Sequence, residues 1–168
     1  MCAMIKHRMK IAVAADHAGF PLKARVIEEA RKLGHEVFDL GTHSTEPVDY
    51  PDYARAIAEA VRDGAADRAV LICGSGAGAC VAANKFRGIR AATCHDTFSA
   101  HQGVEDDGVN VLCLGARIVG PELAAELVRT YLRAHFSDIE RHRRRVNKVE
   151  QFEEEFGFER PTAATRPR

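Results

Sequence analysis

The sequence lacks the features of membrane, secreted and nucleic-acid-binding proteins. None of its apolar runs approaches the length needed to cross a membrane, and the first residues lack the apolar core of a signal peptide. Lysine plus arginine equals aspartate plus glutamate at 24 each, so no net charge attracts the chain to nucleic acid or lipid. We therefore expect a cytoplasmic protein that binds small molecules, with no nucleic acid and no membrane among its partners.

The cysteines form neither a disulfide framework nor a metal site. There are five, at positions 2, 73, 80, 94 and 113, and three of them lie in or beside strand-like runs. Cys73 and Cys80 are too far apart in sequence for the paired spacing of a zinc knuckle, and no paired histidines follow. An odd number of buried thiols is typical of a reducing compartment. We predict no metal, and buried core positions for Cys80, Cys94 and Cys113.

Strand-like and helix-like segments alternate through one domain, with no internal repeat. Strands are predicted at residues 10–15, 35–40, 68–72, 90–94 and 110–114. Helices are predicted at residues 21–33, 51–63, 77–86 and 121–134, and residues 97–108 are predicted to be helical at first and then a loop. Apolar residues at helical spacing predict a last helix through Val146, Val149, Phe152 and Phe156.

This alternation predicts an α/β fold, a three-layer Rossmann-like domain with a five-stranded parallel sheet plus a C-terminal helix. The domain is predicted to span residues 9–156, between an N-terminal extension (residues 1–8) and a flexible tail (residues 157–168). Ligands of such folds bind beyond the carboxyl ends of the strands. Those ends carry Asp16, His17, Tyr50, Cys73 and Arg117, so we expect reactive side chains to collect at that edge.

The strand ending at Cys73 runs into a loop with glycine at alternate positions, 74, 76 and 78, followed by a helix. Glycines allow close backbone approach to a ligand, and amides at a helix start bind anionic oxygen and favour a thiolate. A dinucleotide site is the competing interpretation. It is weak, because the spacing is GxGxG and the loop follows the third strand instead of the first.

Two further features have both a functional and a local interpretation. Asp16 either lines the ligand or only caps the following turn. The basic run at residues 141–145 is either a solvated helix face or an anion site, because Arg141 and Arg145 share one helix face and could clamp a phosphate.

Several motifs together carry a family resemblance over about residues 9–156. They are ADHAG at 15–19, VDYP at 48–51, ICGSGAG at 72–78, AANK at 82–85, GIRA at 88–91, and NVL at 110–112 with glycine at 115. With these motifs the chain resembles the sugar-phosphate isomerase family of ribose-5-phosphate isomerase B and the galactose-6-phosphate isomerase subunits. The resemblance implies interconversion of an aldose phosphate and a ketose phosphate through a cis-enediolate, without metal or cofactor.

The resemblance also implies roles for individual residues. Cys73 is implied as the base, since Ala79 stands where some relatives carry a glutamate base. The amides of the loop and the Ser75 hydroxyl would hold the enediolate oxygens. The implied substrate-binding residues are Asp16, His17, Tyr50, Gly74, Gly76, Gly78, Asp107, Arg117, Arg141, His142 and Arg145. The family's site lies between subunits, which implies a homodimer or a dimer of dimers.

One position departs from the family pattern. Asp106 stands where members acting on ribose 5-phosphate usually carry the histidine that opens the furanose ring. An aspartate is normally ionised and is a poor acid, although repulsion from Glu105 and Asp107 could keep it protonated, and His101 is a further candidate. We expect ribose 5-phosphate as substrate. The alternatives are an acyclic tetrulose 4-phosphate or another sugar phosphate, and a non-catalytic sugar-phosphate-binding protein.

Overall fold

The sheet has five parallel strands in the order β2-β1-β3-β5-β4, as the computed structural model of residues 8–156 shows. The strands are β1 Lys10–Ala15, β2 Glu36–Asp39, β3 Arg68–Cys73, β4 Ala91–Thr93 and β5 Val111–Gly115. The predicted parallel α/β architecture is therefore confirmed. The predicted tail and all but the last residue of the predicted extension lie outside the described residues.

Helices cover both faces of this sheet. They are α1 Phe20–Lys32, α2 Tyr50–Arg62, α3 Ala77–Ala83, α4 Thr97–Asp107, α5 Pro121–Arg133 and α6 Glu140–Phe156. Helices α1, α4 and α5 pack in one core with Val70 and Ile72 of β3, whereas α2 and α3 pack in a second core with Leu71 and Cys73. Because side chains alternate along a strand, Cys73 faces the layer of α2 and α3.

The prediction for residues 97–108 was wrong in its second half, because α4 is helical throughout Thr97–Asp107. The Asp96 carboxylate accepts the Ser99 N–H at 2.7 Å and caps the start, and Gly108 ends the helix in the left-handed region at φ 63°. Glycine and a cluster of acids disfavour the end of a helix. Burial of Ala100 and Val104 in the core that α4 shares with α5 outweighs that preference.

The direction of α4 places its last turn far from the carboxyl edge of the sheet. Eleven residues make a helix of about 15 Å, which returns the chain from the end of β4 to the start of β5. At that amino edge the Arg90 side chain donates to the Gly108 carbonyl at 2.9 Å. The Ser137 N–H donates to the Glu105 carbonyl at 3.0 Å, so α6 also begins at the amino edge.

The C-terminal helix α6 forms as predicted, but its apolar stripe is not buried. Phe152 and Phe156 are exposed, and the only buried residue of α6 is His142. Ion pairs from Arg90 to Glu150 at 3.3 Å and from Arg87 to Glu154 at 3.0 Å attach the far end of α6. Among the described residues, no helix combines the length and apolarity that a membrane span requires.

The buried ammonium group of Lys23 holds the loop that follows β2 in place. Lys23 is 3% exposed, and its Nζ donates to Asp39 Oδ1 at 2.6 Å and to the Thr42 carbonyl at 2.5 Å. The Gly41 N–H donates to the same carboxylate oxygen at 3.0 Å. Residues 41 and 42 bond in turn to the backbone of Ala15, directly before Asp16.

Lys23→Met is therefore expected to destabilise the protein by about 1–3 kcal/mol, because Asp39 Oδ1 and the Thr42 carbonyl lose their charged hydrogen-bond donor. Burial alone would raise the pKa of Asp39, but the Lys23 and Gly41 hydrogen bonds lower it below its usual value. The contribution is thus present above the unfolded-state pKa and lost as pH falls through the folded-state pKa. Urea unfolding measures both effects. Lys32→Met, which removes an exposed pair with Glu28, is the control and should change the free energy of unfolding much less than Lys23→Met does.

Candidate active site

Cys73 ends β3 at the carboxyl edge of the sheet. The side chain is only 5% exposed, and its Sγ accepts the backbone N–H of Gly76 at 3.1 Å. That amide belongs to the turn that opens α3. The structure therefore places the thiol directly against one backbone amide, that of Gly76, in the glycine loop (residues 74–78).

The tight packing around the glycine loop explains its glycines. Gly76 has φ 82°, and a Cβ there would lie 2.9 Å from Thr93 Cγ2 and 3.2 Å from the Leu114 carbonyl carbon. A Cβ on Gly115 would lie 2.6 Å from the Ser75 carbonyl carbon. Any side chain at either position would push the loop away from β5, so glycine is required at both.

Tyr50 and Arg117 border the two ends of the glycine loop. A Cβ on Gly78 would lie 3.0 Å from the Tyr50 ring, and a Cβ on Gly74 would lie 3.5 Å from the Arg117 guanidinium carbon. The Arg117 N–H also donates to the Gly74 carbonyl at 3.0 Å. Ser75 is exposed, and its Oγ accepts the Ala77 N–H at 3.3 Å. The loop thus lies between an aromatic ring and a cation.

Asp16 and His17 reach the same edge from β1. Asp16 is buried, its Oδ1 accepts the Gly19 N–H at 2.8 Å, and its own N–H donates to the Ile72 carbonyl at 3.1 Å. One carboxylate oxygen therefore closes the local turn, which was the alternative interpretation from sequence. His17 Nδ1 accepts the Val48 N–H at 3.2 Å, which ties the loop before Tyr50 to this edge.

His95 is a neighbour to which the sequence assigned no role. Its Nε2 accepts the Gly115 N–H at 3.0 Å, directly beneath the contact between Gly115 and Ser75. The sequence did indicate its position: His95 closely follows β4, and the end of β4 lies at the same edge of the sheet as Cys73. His95 thereby supports the floor of the glycine loop.

The remaining predicted site residues lie at the opposite edge, at the end of α4 and the start of α6. They are Asp106, Asp107, Arg141, His142 and Arg145. Asp107 is exposed and lines a cavity of about 890 Å³ between β4 and α6. One chain therefore brings together Asp16, His17, Tyr50, Arg117 and the glycine loop, and keeps the α4–α6 group apart from Cys73.

The arginines of the basic run at residues 141–145 differ in whether they form ion pairs with acidic side chains. Arg143 pairs with Asp138 at 3.1 Å, and Arg144 pairs with Glu140 at 3.0 Å. Within residues 8–156, neither Arg141 nor Arg145 forms an ion pair with an acid, and the same holds for Arg117 at the glycine loop. The three arginines predicted to bind phosphate are thus left available for an anion.

The other thiols occupy the positions expected of core residues, with one exception. Cys94 and Cys113 are buried, and burial raises the pKa of Cys94 to about 11. Cys80 is only half-buried, and its hydrogen bond with Cys113, assisted by Thr93 and Asn84 against the effect of burial, lowers the pKa of Cys80 to about 6. Among the described residues, no three His, Cys, Asp or Glu side chains are grouped to hold a metal ion.

Comparison with known proteins gives this arrangement a family. A family model described as Ribose/Galactose Isomerase matches residues 11–149. The ribose-5-phosphate isomerase B of Escherichia coli is 43% identical over 145 residues, 86% of this chain and 97% of that protein. The D-erythrulose-4-phosphate isomerase of Pectobacterium atrosepticum is 43% identical over 130 residues, 76% of this chain and 85% of that protein.

A solved structure agrees with both relatives. The ribose-5-phosphate isomerase B of Clostridium thermocellum superimposes with a TM-score of 0.86 at 44% identity, covering 88% of this chain and 99% of that one. Fold and relatives together define an aldose–ketose isomerase that acts on a sugar phosphate. The chain belongs to the ribose/galactose isomerase family.

Proposed function

We propose that Cys73 is the base of this isomerase and that the glycine loop stabilises the enediolate. The thiolate removes the proton from C2 of the open-chain aldose phosphate, and the electron pair moves to the carbonyl oxygen at C1. Return of the proton at C1, with transfer of a hydroxyl proton from O2 to O1, gives the ketose phosphate. The observation that carries the proposal is the 3.1 Å contact between Cys73 Sγ and the Gly76 amide.

The loop amides supply the electrostatic part of the reaction. Negative charge develops on the two oxygens of the enediolate, and preorganised N–H groups in a site of low dielectric constant stabilise such charge strongly. Glycines at 74, 76 and 78 let the substrate approach these amides closely. Tyr50 and Asp16 would then border the sugar carbons, with the Ser75 hydroxyl as a further donor.

We further propose that two copies of the chain complete the site. Cys73 lies at the carboxyl edge of the sheet, whereas Arg141 and Arg145 lie at the amino edge, about the length of α4 away. A four- or five-carbon sugar phosphate is too short to span that distance within one chain. In a homodimer, the arginines of one copy would bind the phosphate of the substrate held by Cys73 of the other.

The sugar has two candidates. Ribose 5-phosphate is the first, because the relatives from Escherichia coli and Clostridium thermocellum carry that substrate in their names. D-erythrulose 4-phosphate is the second, because a relative of equal identity carries that name. A specific observation favours the second: both carboxylate oxygens of Asp106 have partners within the chain, so Asp106 is not free to open a furanose ring.

Steady-state kinetics with both sugars decides between them. Loss of a positioned general acid costs about 10²–10⁴ in rate, and an open-chain tetrulose phosphate needs no ring opening. If Asp106 opens no ring, kcat/KM for D-erythrulose 4-phosphate should exceed that for ribose 5-phosphate by about that factor. Faster turnover of ribose 5-phosphate establishes the first candidate. Binding of both sugars with turnover of neither would contradict the proposed reaction.

A further inference from the structure

We propose that Asp106 is a positioning residue: through His142 it orients the guanidinium of Arg141 towards the phosphate of the substrate. This inference rests on the proposed function in one respect, namely that Arg141 binds phosphate. It assigns Asp106 a role different from the acid–base role that its sequence position implied.

The first observation is the burial of His142. It is 2% exposed and is the only buried residue of α6, a helix of 17 residues in which Val149, Phe152 and Phe156 are exposed. A polar ring taken out of water must find hydrogen-bond partners, or its burial destabilises the fold. The first turn of α6 is therefore anchored by a histidine and not by an apolar side chain.

The second observation is the set of partners on the two ring nitrogens. Nε2 accepts the Arg141 Nε–H at 2.9 Å, so the neutral ring carries its proton on Nδ1. Nδ1 lies 2.7 Å from Ser137 Oγ and 3.3 Å from Asp106 Oδ1. The imidazole thus connects a carboxylate on α4 to a guanidinium on α6.

The third observation concerns Asp106 itself. Its Oδ2 accepts from Gln102 Nε2 at 2.8 Å, while Oδ1 faces His142. An ionised carboxylate only accepts hydrogen bonds. Gln102 donates one of them, and the His142 ring, whose Nδ1 forms its hydrogen bond with Ser137 Oγ, approaches the other oxygen at 3.3 Å. A general acid must instead present a proton to the substrate. The contacts of Asp106 are those of a group that fixes its neighbours.

These contacts hold the guanidinium of Arg141 at one of its nitrogens. Its Nε–H is held by His142, and its two terminal nitrogens have no acidic partner within the described residues. A guanidinium held at Nε keeps its outer edge free for the two parallel hydrogen bonds with which arginine binds phosphate. Fixing the side chain beforehand removes part of the ordering entropy that binding would otherwise cost.

The experiment measures binding of inorganic phosphate by calorimetry and steady-state kinetics with both candidate sugars, on the full chain. For Asp106→Ala we expect the phosphate Kd and the KM of the sugar to rise about tenfold, with kcat changed less than about threefold. Asp106→Asn keeps an acceptor towards His142 and should recover most of the affinity. Glu105→Ala removes the adjacent carboxylate, whose one ion pair within residues 8–156 is with the exposed His101, and should leave Kd unchanged.

A double-mutant cycle tests the path through Arg141. If Asp106 acts through Arg141, adding Asp106→Ala to Arg141→Ala should leave the phosphate Kd where Arg141→Ala alone puts it. Additive losses, or a fall in kcat of a hundredfold with KM unchanged, would overturn the proposal. Should Asp106→Ala unfold, which circular dichroism reports, Asp106→Asn replaces it in the cycle with the same criterion.

This inference and the proposed function fail in different ways. Phosphate binding can be measured without turnover. A wild-type protein that isomerises neither sugar therefore overturns the proposed function, while the double-mutant cycle on the phosphate Kd can still be completed. Normal turnover combined with an unchanged phosphate Kd in both Asp106 variants overturns the positioning role alone. A wild-type protein that binds no phosphate also overturns the positioning role.

Discussion

Replacing Cys73 with alanine is expected to abolish isomerisation while leaving the fold and the phosphate affinity intact. A positioned base contributes about 10²–10⁴ in rate, and alanine has no group that can accept the C2 proton. The small side chain fits the buried site at the end of β3, because the thiol contacts the amide of Gly76 and no larger framework depends on it. Exchange of the C2 proton for solvent deuterium, followed by NMR, measures the loss directly.

Cys80→Ala is the matched control for this experiment. Cys80 is a half-buried thiol on α3, and its hydrogen bond with Cys113 lowers its pKa to about 6, which makes it the other candidate base. We expect Cys80→Ala to retain kcat within about threefold, since no part of the proposed reaction uses that thiol. Loss of deuterium exchange in Cys80→Ala, with exchange retained in Cys73→Ala, would show that the base has been assigned to the wrong cysteine.

Two inactive variants are expected to recover activity when they are combined. Cys73→Ala lacks the base, and the double variant Arg141→Ala, Arg145→Ala lacks the phosphate site at the other edge of the chain. If the site is shared across a two-fold dimer, a mixed dimer has one site with both groups intact and one with neither. Random pairing of equal amounts should then restore about a quarter of the wild-type sites.

Co-expression of the two variants with different affinity tags isolates the mixed dimer, whose turnover should be about half that of the wild type. Combining Cys73→Ala with Cys73→Ser provides the control and should recover nothing, since both partners lack the same group. Absence of recovery in a mixed dimer that forms and folds would place the whole site within one chain. Recovery of activity while the two variant chains remain unassociated would also contradict the shared site.

Most of the fold follows from local patterns that the sequence displays. The β3 segment is a continuous apolar run bounded by a charged residue and a glycine, so its limits were predicted within one residue. Helix α4 shows where this reasoning fails. Gly103 and the acids at 105–107 argue locally for a loop, and the burial of Ala100 and Val104 in the core shared with α5 outweighs them.

The candidate site likewise has a part that the sequence predicts and a part that it does not. The glycine loop was predictable because the thiol, the glycines and the helix start are consecutive in sequence. The contact between Asp106 and His142 was not, because the two residues belong to different helices and no spacing connects them. The anchoring of the loop after β2 by Lys23 was missed for a related reason. A lysine in an amphipathic helix is normally exposed, and its burial becomes visible only with Asp39 and Thr42 in place.

The separation of the site between two edges of the sheet has a consequence for how such enzymes diversify. In the proposed shared site, substitutions at the end of α4 or the start of α6 would alter the groups that meet the distal part of the sugar, while the packing of Gly76 and Gly115 around Cys73 stays unchanged. Under that proposal, a substitution there changes which sugar is bound, while the base and the amides of the glycine loop keep their positions. Relatives of equal similarity to this chain bear the names of a pentose and a tetrulose phosphate isomerase, as that freedom would produce.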